Sequence, residues 1–204
     1  MPIALLVTFD YRGELPGISQ DVAIVKEYLD HRFEVISYRD IDFTSREDLL
    51  SWLEQAAGRR VLLYISAHGI THADGRSSLL LPNRETINFQ LIAQILSQST
   101  EALWINDCCY TQAGMPWKLE GDRYHCVNRD DIGGDIILLC SSQVYQEAWT
   151  SEEGSSFTQL LIGQLTLGER YLPNIICGIQ CNPHHHWYPA VYSTTSALTI
   201  YDWV

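Results

Sequence analysis

The sequence predicts an α/β fold in which a mostly parallel central sheet carries helices on both faces, giving three layers. Apolar runs of strand length alternate along the chain with amphipathic helical segments, and such alternation is typical of a covered parallel sheet. Residues 61–65 and 102–105 are short, continuous apolar runs, as expected of buried strands. A chain of 204 residues buries a sizeable core. It shows no repeat or linker, so we predict one domain over residues 1–204.

Local signals define the elements of the first half. Alternating polarity at 33–38 indicates a strand near an edge of the sheet. Ser19 is predicted to cap the first helix, and Thr44 with Glu47 forms a capping box for the second, which Gly58 ends. In order, the predicted elements are a strand at 3–9, a helix at 20–31, a strand at 33–38, a helix reaching about residue 57, a strand at 61–65, a hairpin at 79–82 and 86–87, and a helix at 89–97.

The second half is less regular. Residues 110–134 are rich in glycine and polar residues and predict a long loop, a feature that is usually functional or disordered. The later predicted elements are a strand at 135–141, a helix at 154–167 opened by Ser155 or Ser156, and strands at 175–179, 190–192 and 198–201.

Reactive side chains follow two of the predicted strands. His68 comes just after the first apolar run described above, and Asp107, Cys108 and Cys109 come just after the second. If the two strands are neighbours in one parallel sheet, their carboxyl ends lie side by side, where ligands of open α/β sheets bind. A cysteine beside a histidine is the minimum equipment for nucleophilic acyl transfer.

Composition narrows the class of partner. The net charge is −12 at pH 7 and the pI is about 4.8, which argues against nucleic acid or an anionic membrane, because both require a basic patch. No apolar run is long enough to cross a membrane, and residues 1–10 are too short and too soon charged for a signal peptide. Six cysteines without a disulfide framework favour a reducing interior. We therefore expect a cytoplasmic protein of undefined oligomeric state.

Six sequence blocks run in order along nearly the whole chain: GISQDVAIVKEYL at 17–29, YISAHG at 64–69, SLLLPN at 78–83, LWINDCCYTQAG at 103–114, SSQVYQEAW with EEGSSFTQLL at 141–161, and HHHWYPAVYST at 184–194. Together they resemble the caspase-like cysteine peptidases, in the branch of the metacaspases and bacterial caspase homologues. The second block is similar to the family's S-x-H-G and the fourth to its D-x-C-x-S-G. The resemblance implies a caspase-like three-layer fold with a large-subunit-like part at about 1–115, a loop at about 110–134 and a small-subunit-like part at 135–204.

The same resemblance implies a cysteine endopeptidase that acts on protein or peptide substrates. The family's nucleophile is the second residue after the aspartate, which assigns Cys109 rather than Cys108. His68 is then its catalytic partner, and the N–H groups of Gly69 and Cys109 form the oxyanion hole. Asp107 receives a basic side chain of the substrate, because a carboxylate pairs with Arg or Lys through charge-assisted hydrogen bonds.

The chain departs from the family pattern at three places. The animal-caspase motif Q-A-C-[RQG]-G is missing. The sequence TQAG at 111–114 replaces the Ser-Gly that follows the nucleophile. Val144 and Tyr145 stand where many metacaspases carry a second acidic residue of the specificity pocket. The charge of this pocket is therefore left open.

Each catalytic assignment has a structural alternative. A nearby imidazole lowers the pKa of a thiol and then protonates the leaving amine. Alternatively, His68 is a hydrogen-bonded core histidine and Cys109 a small buried hydrophobic residue. Asp107 would then cap the turn after its strand. For the whole chain, the corresponding alternative is a catalytically silent caspase fold that serves as an interaction or regulatory module.

Two groups of potential metal ligands also have simpler explanations. Cys177 and Cys181 precede three histidines at 184–186, which invites a zinc-stabilised binding domain, although the spacing and the single cysteine pair favour a loop. Glu152 and Glu153 would suit the calcium that many metacaspases require, but acids are also favoured at a helix N-terminus. We predict no cofactor and no metal site, and leave calcium activation open.

The predicted loop at 110–134 contains three basic residues, Lys118, Arg123 and Arg129. In caspase-like enzymes the segment after the nucleophile's strand is often cut during activation, so the resemblance implies self-cleavage here. A glycine-rich, polar loop is also a favourable site for nicking. The alternative is that the loop only closes over the cleft.

Overall fold

A computed structural model describes residues 1–73, 76–109, 124–126, 135–142, 150–180, 190–193, 200 and 203. The strands in these residues are β1 (Ile3–Thr8), β2 (Glu34–Arg39), β3 (Arg60–Ala67), β4 (Gly69–Thr71), β5 (Ser77–Leu80), β6 (Thr86–Asn88), β7 (Glu101–Cys108), β8 (Tyr124–Cys126), β9 (Ile136–Cys140), β10 (Thr150–Ser151), β11 (Gly154–Ser155) and β12 (Ala190–Ser193). The helices are α1 (Ile18–Leu29), α2 (Arg46–Leu53), α3 (Phe89–Leu96), α4 (Ser156–Thr166) and α5 (Leu172–Gln180), and a 3₁₀ turn over Glu54–Ala56 follows α2.

A central sheet has the strand order β2-β1-β3-β7-β9-β12-β8. The first five strands of this order are parallel to one another. β12 runs antiparallel to β9, and β8 runs parallel to β12. The predicted mostly parallel sheet is therefore confirmed, and β2 lies at its edge, as the alternating polarity of that segment predicts.

Apolar side chains leave both faces of the sheet and form two cores. In β1, Ile3, Leu5 and Val7 join the core that contains side chains of α2 and α3. Ala4 and Leu6 join the core that contains side chains of α1, α4 and α5. All five are fully buried, as expected of a strand that is covered on both faces. The three predicted layers are present.

A small antiparallel sheet of β4, β5 and β6 stands beside the end of β3. The β5–β6 pair confirms the predicted hairpin. β4 was not predicted, and it begins at Gly69, directly after His68. The small sheet therefore borders the carboxyl edge of the large one.

Two predicted helix caps are wrong by one or two residues. Gly17, with a φ of 87°, precedes α1, and the Ser19 hydroxyl donates instead to the side chain of Gln20. Ser45 rather than Thr44 caps α2, because its hydroxyl accepts the N–H of Asp48 at 3.1 Å. Adjacent residues of cap-forming type are hard to separate by sequence.

The predicted strand at 175–179 is wrong, because α5 occupies this segment. Leu172, Ile175, Ile176 and Ile179 are buried, and their spacing of three and four residues is that of one helix face. A short apolar run fits either a strand or a buried helix.

The predicted loop at 110–134 is interrupted by β8, which pairs with β12. Three predicted features lie outside the described residues: the rest of this loop, the strand at 198–201 apart from Ile200, and the cysteine and histidines at 181 and 184–186. In the described part of the chain, none of the helices is long and apolar enough to cross a membrane.

Candidate active site

The carboxyl ends of β3 and β7 meet in register. Ser66 pairs with Asp107, and Ala67 pairs with Cys108. His68 directly follows β3 and Cys109 directly follows β7, so both leave the sheet at the same level. The continuous apolar runs that precede them explain this placement, because such runs form adjacent buried strands of a parallel sheet.

His68, Asp107 and Cys109 line one cavity at this edge. Its volume is about 30 Å³, which is room for about two water molecules. The other described residues that line it are Leu15, Ile18, Ser66, Ala67, Thr150 and Ser155. The structure therefore brings the three predicted side chains together.

The backbone of Gly69 packs against that of Cys109. A Cβ atom at Gly69 would overlap the carbonyl oxygen of Cys109 and lie 2.9 Å from its carbonyl carbon. Only glycine allows the two backbones to approach so closely. The two residues predicted to form an oxyanion hole are therefore neighbours in space.

Tyr11, in the loop after β1, holds both the backbone and the ring of His68. Its hydroxyl accepts the N–H of His68 at 3.0 Å and donates to the carbonyl of Leu80 at 2.6 Å. Burial raises the pKa of Tyr11, so the phenol stays protonated and able to donate. The two rings are stacked at a tilt, with centroids 4.7 Å apart and planes at 37°. The N–H of Leu80 donates to the carbonyl of His68 at 2.9 Å.

Burial lowers the pKa of His68, because the imidazolium loses hydration. Glu14 opposes this effect, and its Oε2 lies 3.9 Å from Nε2 of His68. Arg84 reinforces the lowering, while its guanidinium lies 2.6 Å from the other carboxylate oxygen of Glu14. The imidazole is therefore neutral at neutral pH and can accept a proton.

The adjacent cysteines occupy different environments. Cys108 ends β7 and is fully buried, and this burial raises the pKa of its thiol well above the usual range. Cys109 is partly exposed and lines the cavity. The hydroxyls of Ser141 and Ser142 donate to the carbonyl of Cys108 at 3.1 and 2.9 Å and so anchor the peptide that leads to Cys109. The accessible thiol at this edge is that of Cys109.

Asp107 is a buried carboxyl group surrounded by hydroxyl groups. Its Oδ2 accepts the hydroxyl of Thr158 at 2.7 Å, and Thr158 accepts the hydroxyl of Tyr64 at 2.8 Å. Among the described residues, Oδ1 has no hydrogen-bond partner. Burial raises the pKa of Asp107, and the hydroxyls of Ser155, Thr158 and Ser141 oppose this rise. Its known partners are hydroxyls rather than the N–H groups that a turn cap would accept.

The sequence matches the family model of the caspase domain over residues 1–175. The chain belongs to this family. A Geobacter sulfurreducens protein solved by structural genomics has a TM-score of 0.73 and 14% identity, over 98% of this chain and 97% of its own. Caspase-1 from Spodoptera frugiperda has a TM-score of 0.66 and 14% identity, and the match covers 97% of this chain and 88% of caspase-1. These likenesses concern the fold. No curated protein matches the sequence.

A second buried carboxyl group of this caspase domain was missed by the sequence analysis. Asp21 of α1 is fully buried, and its oxygens accept the N–H of Ser155 at 2.8 and 3.0 Å. Burial, reinforced by the charge of Asp107, raises the pKa of Asp21 to about 7. Asp21 lies on the buried stripe of α1 between Ile18 and Val25. An acidic residue at a core position of an amphipathic helix was the signal that could have revealed it.

A larger cavity of about 560 Å³ adjoins the first in the caspase domain. The two share Leu15 and Ile18 as lining residues, so these two side chains lie between them. Charged side chains of both signs line the larger cavity, namely Asp10, Asp40, Lys26 and Arg39.

The other potential metal ligands do not assemble in the described residues. Cys177 is exposed on α5, and Glu152 and Glu153 are exposed in the turn between β10 and β11. Within the part of the chain that the structure describes, no three His, Cys, Asp or Glu side chains come close enough to hold a metal ion.

Proposed function

We propose that this caspase domain is a cysteine endopeptidase in which Cys109 is the nucleophile and His68 the proton carrier. The observation that carries the proposal is that both side chains line one cavity at the ends of adjacent parallel strands. A partly exposed thiol beside a neutral imidazole has the composition and placement that nucleophilic acyl transfer requires.

In the proposed reaction, His68 takes the proton of the Cys109 thiol, and the thiolate attacks the carbonyl carbon of the substrate peptide. The negative charge that develops on the carbonyl oxygen is stabilised by the N–H groups of Gly69 and Cys109. His68 then gives its proton to the leaving amine, and the acyl group stays on sulfur. A water molecule, deprotonated by His68, releases the new carboxyl end and restores the thiol.

We further propose cleavage after a basic residue of a protein or peptide substrate. Asp107 supports this preference, because it is a buried carboxyl group that lines the cavity, and a carboxylate pairs with an ammonium or guanidinium group through charge-assisted hydrogen bonds. Asp21, also buried, adds acidity behind the same cavity. These two carboxyl groups provide the acidic side chains that Val144 and Tyr145 do not.

Substrate binding must widen the site, because about 30 Å³ does not admit a lysine or arginine side chain. The adjoining cavity of about 560 Å³ provides the space if Leu15 and Ile18 move. The same small volume favours the second candidate function, a silent caspase fold that acts as an interaction module. The two candidates differ in whether Cys109 turns over a substrate.

The test is a peptide library varied at the residue before the scissile bond, assayed with wild-type protein and with Cys109→Ala. Cleavage by wild type alone, with Arg or Lys preferred, supports the peptidase. A profile dominated by Asp would refute the basic preference, and absence of cleavage together with no reaction of Cys109 towards an active-site thiol reagent would favour the silent module. The same assay in calcium and in EDTA tests calcium activation, which the sequence leaves open.

A further inference from the structure

Glu14 bridges His68 and Arg84 at the edge of the candidate active site. Its Oε2 lies 3.9 Å from Nε2 of His68, and its Oε1 lies 2.6 Å from the guanidinium of Arg84. Glu14 belongs to the loop after β1, His68 follows β3, and Arg84 lies between β5 and β6. Three segments therefore converge on one carboxylate.

The contact between Glu14 and His68 is electrostatic rather than a formed hydrogen bond, because 3.9 Å exceeds the usual N–H···O range. Its strength depends on the charge of the imidazole. While His68 is neutral the attraction is weak, and it grows when the ring accepts a proton. Glu14 therefore distinguishes the two protonation states that a proton carrier must pass through.

We propose that Glu14 is a positioning residue for His68, whose carboxylate holds the Nε2 side of the ring, stabilises the imidazolium, and leaves Nδ1 to exchange protons with Cys109. This inference rests on the proposed peptidase function. In the first step the thiol loses its proton to Nδ1, which creates a thiolate and an imidazolium. The carboxylate of Glu14 faces the new positive charge. The charge disappears when Nδ1 protonates the leaving amine.

Arg84 and Tyr11 set the limits of this arrangement. Arg84 binds Oε1 and so fixes the carboxylate, but its positive charge also opposes the protonation of His68. The ring of Tyr11 stacks on the imidazole of His68, and its hydroxyl accepts the backbone N–H of His68. Other titratable groups of the neighbouring elements are Asp107 and Cys109 in the shared cavity, Cys108 at the end of β7, and Asp40, which accepts the N–H of Tyr11.

Two substitutions should move the pKa of His68 in opposite directions. Glu14→Gln removes the negative charge and leaves Arg84 unopposed, so the pKa of His68 should fall by about 0.5, the scale of one exposed ion pair. Arg84→Met removes the opposing cation, so the pKa should rise. A structural role of Glu14 alone would not produce this reversal of sign.

The measurement is an NMR titration of the His68 imidazole in the full chain carrying Cys109→Ala, which requires no peptidase activity. Glu34→Gln is the matched control, because Glu34 is about as exposed as Glu14 and also binds an arginine at 2.6 Å, that of Arg59. It lies at the start of β2, at the opposite edge of the sheet. This control should leave the titration of His68 unchanged.

With the active chain, Glu14→Gln should lower kcat about threefold with little change in KM, and should shift the acidic limb of the kcat/KM profile to lower pH. Glu14→Asp should restore part of the shift. An unchanged His68 titration in Glu14→Gln, or shifts of the same sign in Glu14→Gln and Arg84→Met, would overturn the assignment of Glu14. Expected NMR shifts without cleavage by wild type would instead refute the peptidase.

Discussion

Ala67 and Cys108 pair in the parallel register of β3 and β7, one residue before His68 and Cys109. This single pairing places an imidazole and a thiol at the same level of the sheet edge. A shift of one residue in the register would separate them along the strand direction, since each residue advances a strand by about 3.3 Å. The geometry of the candidate site therefore depends on strand pairing before any side-chain contact.

Substitution of the two cysteines should have opposite consequences. Cys109→Ala should abolish peptide cleavage with little change in stability, because this side chain is partly exposed. Cys108→Ala should retain most activity and lose about 1–2 kcal/mol of unfolding free energy, because it leaves a small cavity in the core. Peptidase assays and urea unfolding of both variants check this. Equal loss of activity would contradict the assignment of Cys109.

His68→Ala should slow turnover by about 10²–10⁴-fold, because it removes the proton carrier. The half-buried side chain contributes little to the core, and the backbone hydrogen bond to Tyr11 remains, so the melting temperature should change little. Steady-state kinetics and thermal unfolding measure the two effects separately. A loss of activity that only follows a loss of stability would assign His68 a structural role.

Asp107→Asn should exchange specificity for stability. The amide keeps an acceptor for Thr158 but removes a buried carboxylate charge, so the melting temperature should rise by about 2–4 °C. The preference for Arg or Lys over a neutral residue should fall about tenfold. Asp30→Asn, an exposed carboxylate at the end of α1, is the control. An unchanged basic preference would remove Asp107 from substrate recognition.

Protonation of Asp21 should make the unfolding free energy depend on pH. Its pKa is raised from 3.8 to about 7 by folding, so between these values the folded chain binds a proton that the unfolded chain has lost. Unfolding free energy should therefore decrease as pH rises from about 4 to about 7, and then level off. Asp21→Asn should flatten this slope and be the more stable protein at pH 8.

Urea unfolding at several pH values tests that prediction, with Glu27→Gln as the control on the exposed face of the same helix. Asp107 has a raised pKa as well and contributes a slope of the same sign. The unfolding free energy of the double variant Asp21→Asn, Asp107→Asn should therefore depend less on pH than that of either single variant. An unfolding free energy that increases between pH 4 and 7, by the same amount in wild type and in Asp21→Asn, would contradict this account.

Self-cleavage within residues 110–134 remains a prediction from the sequence. Concentrated wild-type protein should yield two fragments whose masses sum to 23.3 kDa, whereas Cys109→Ala should stay intact. Replacing Lys118, Arg123 and Arg129 by Gln should also keep the chain intact while peptide cleavage continues. Mass spectrometry identifies the site. Intact wild type with full activity would show that self-cleavage is not required.

Local sequence patterns were sufficient for the five parallel strands of the sheet and for the positions of its reactive ends. The apolar runs before His68 and Cys109 are continuous because both faces of their strands are covered, and this is visible without knowledge of the partners. Local patterns fail at α5, because the apolar run with Ile175, Ile176 and Ile179 fits a strand as well as a helix until its packing is known.

By itself, the sequence determined that a histidine and a cysteine each follow a buried strand of a caspase-like sheet, and the structure showed that these two strands are neighbours. Only the tertiary structure decided what surrounds them, because those contacts join segments that are far apart along the chain. Glu14 reaches His68 across the sheet edge, and Asp21 is buried against Ser155 behind Asp107. Burial and the proximity of charge set the pKa values of these groups, and both are properties of the assembled fold.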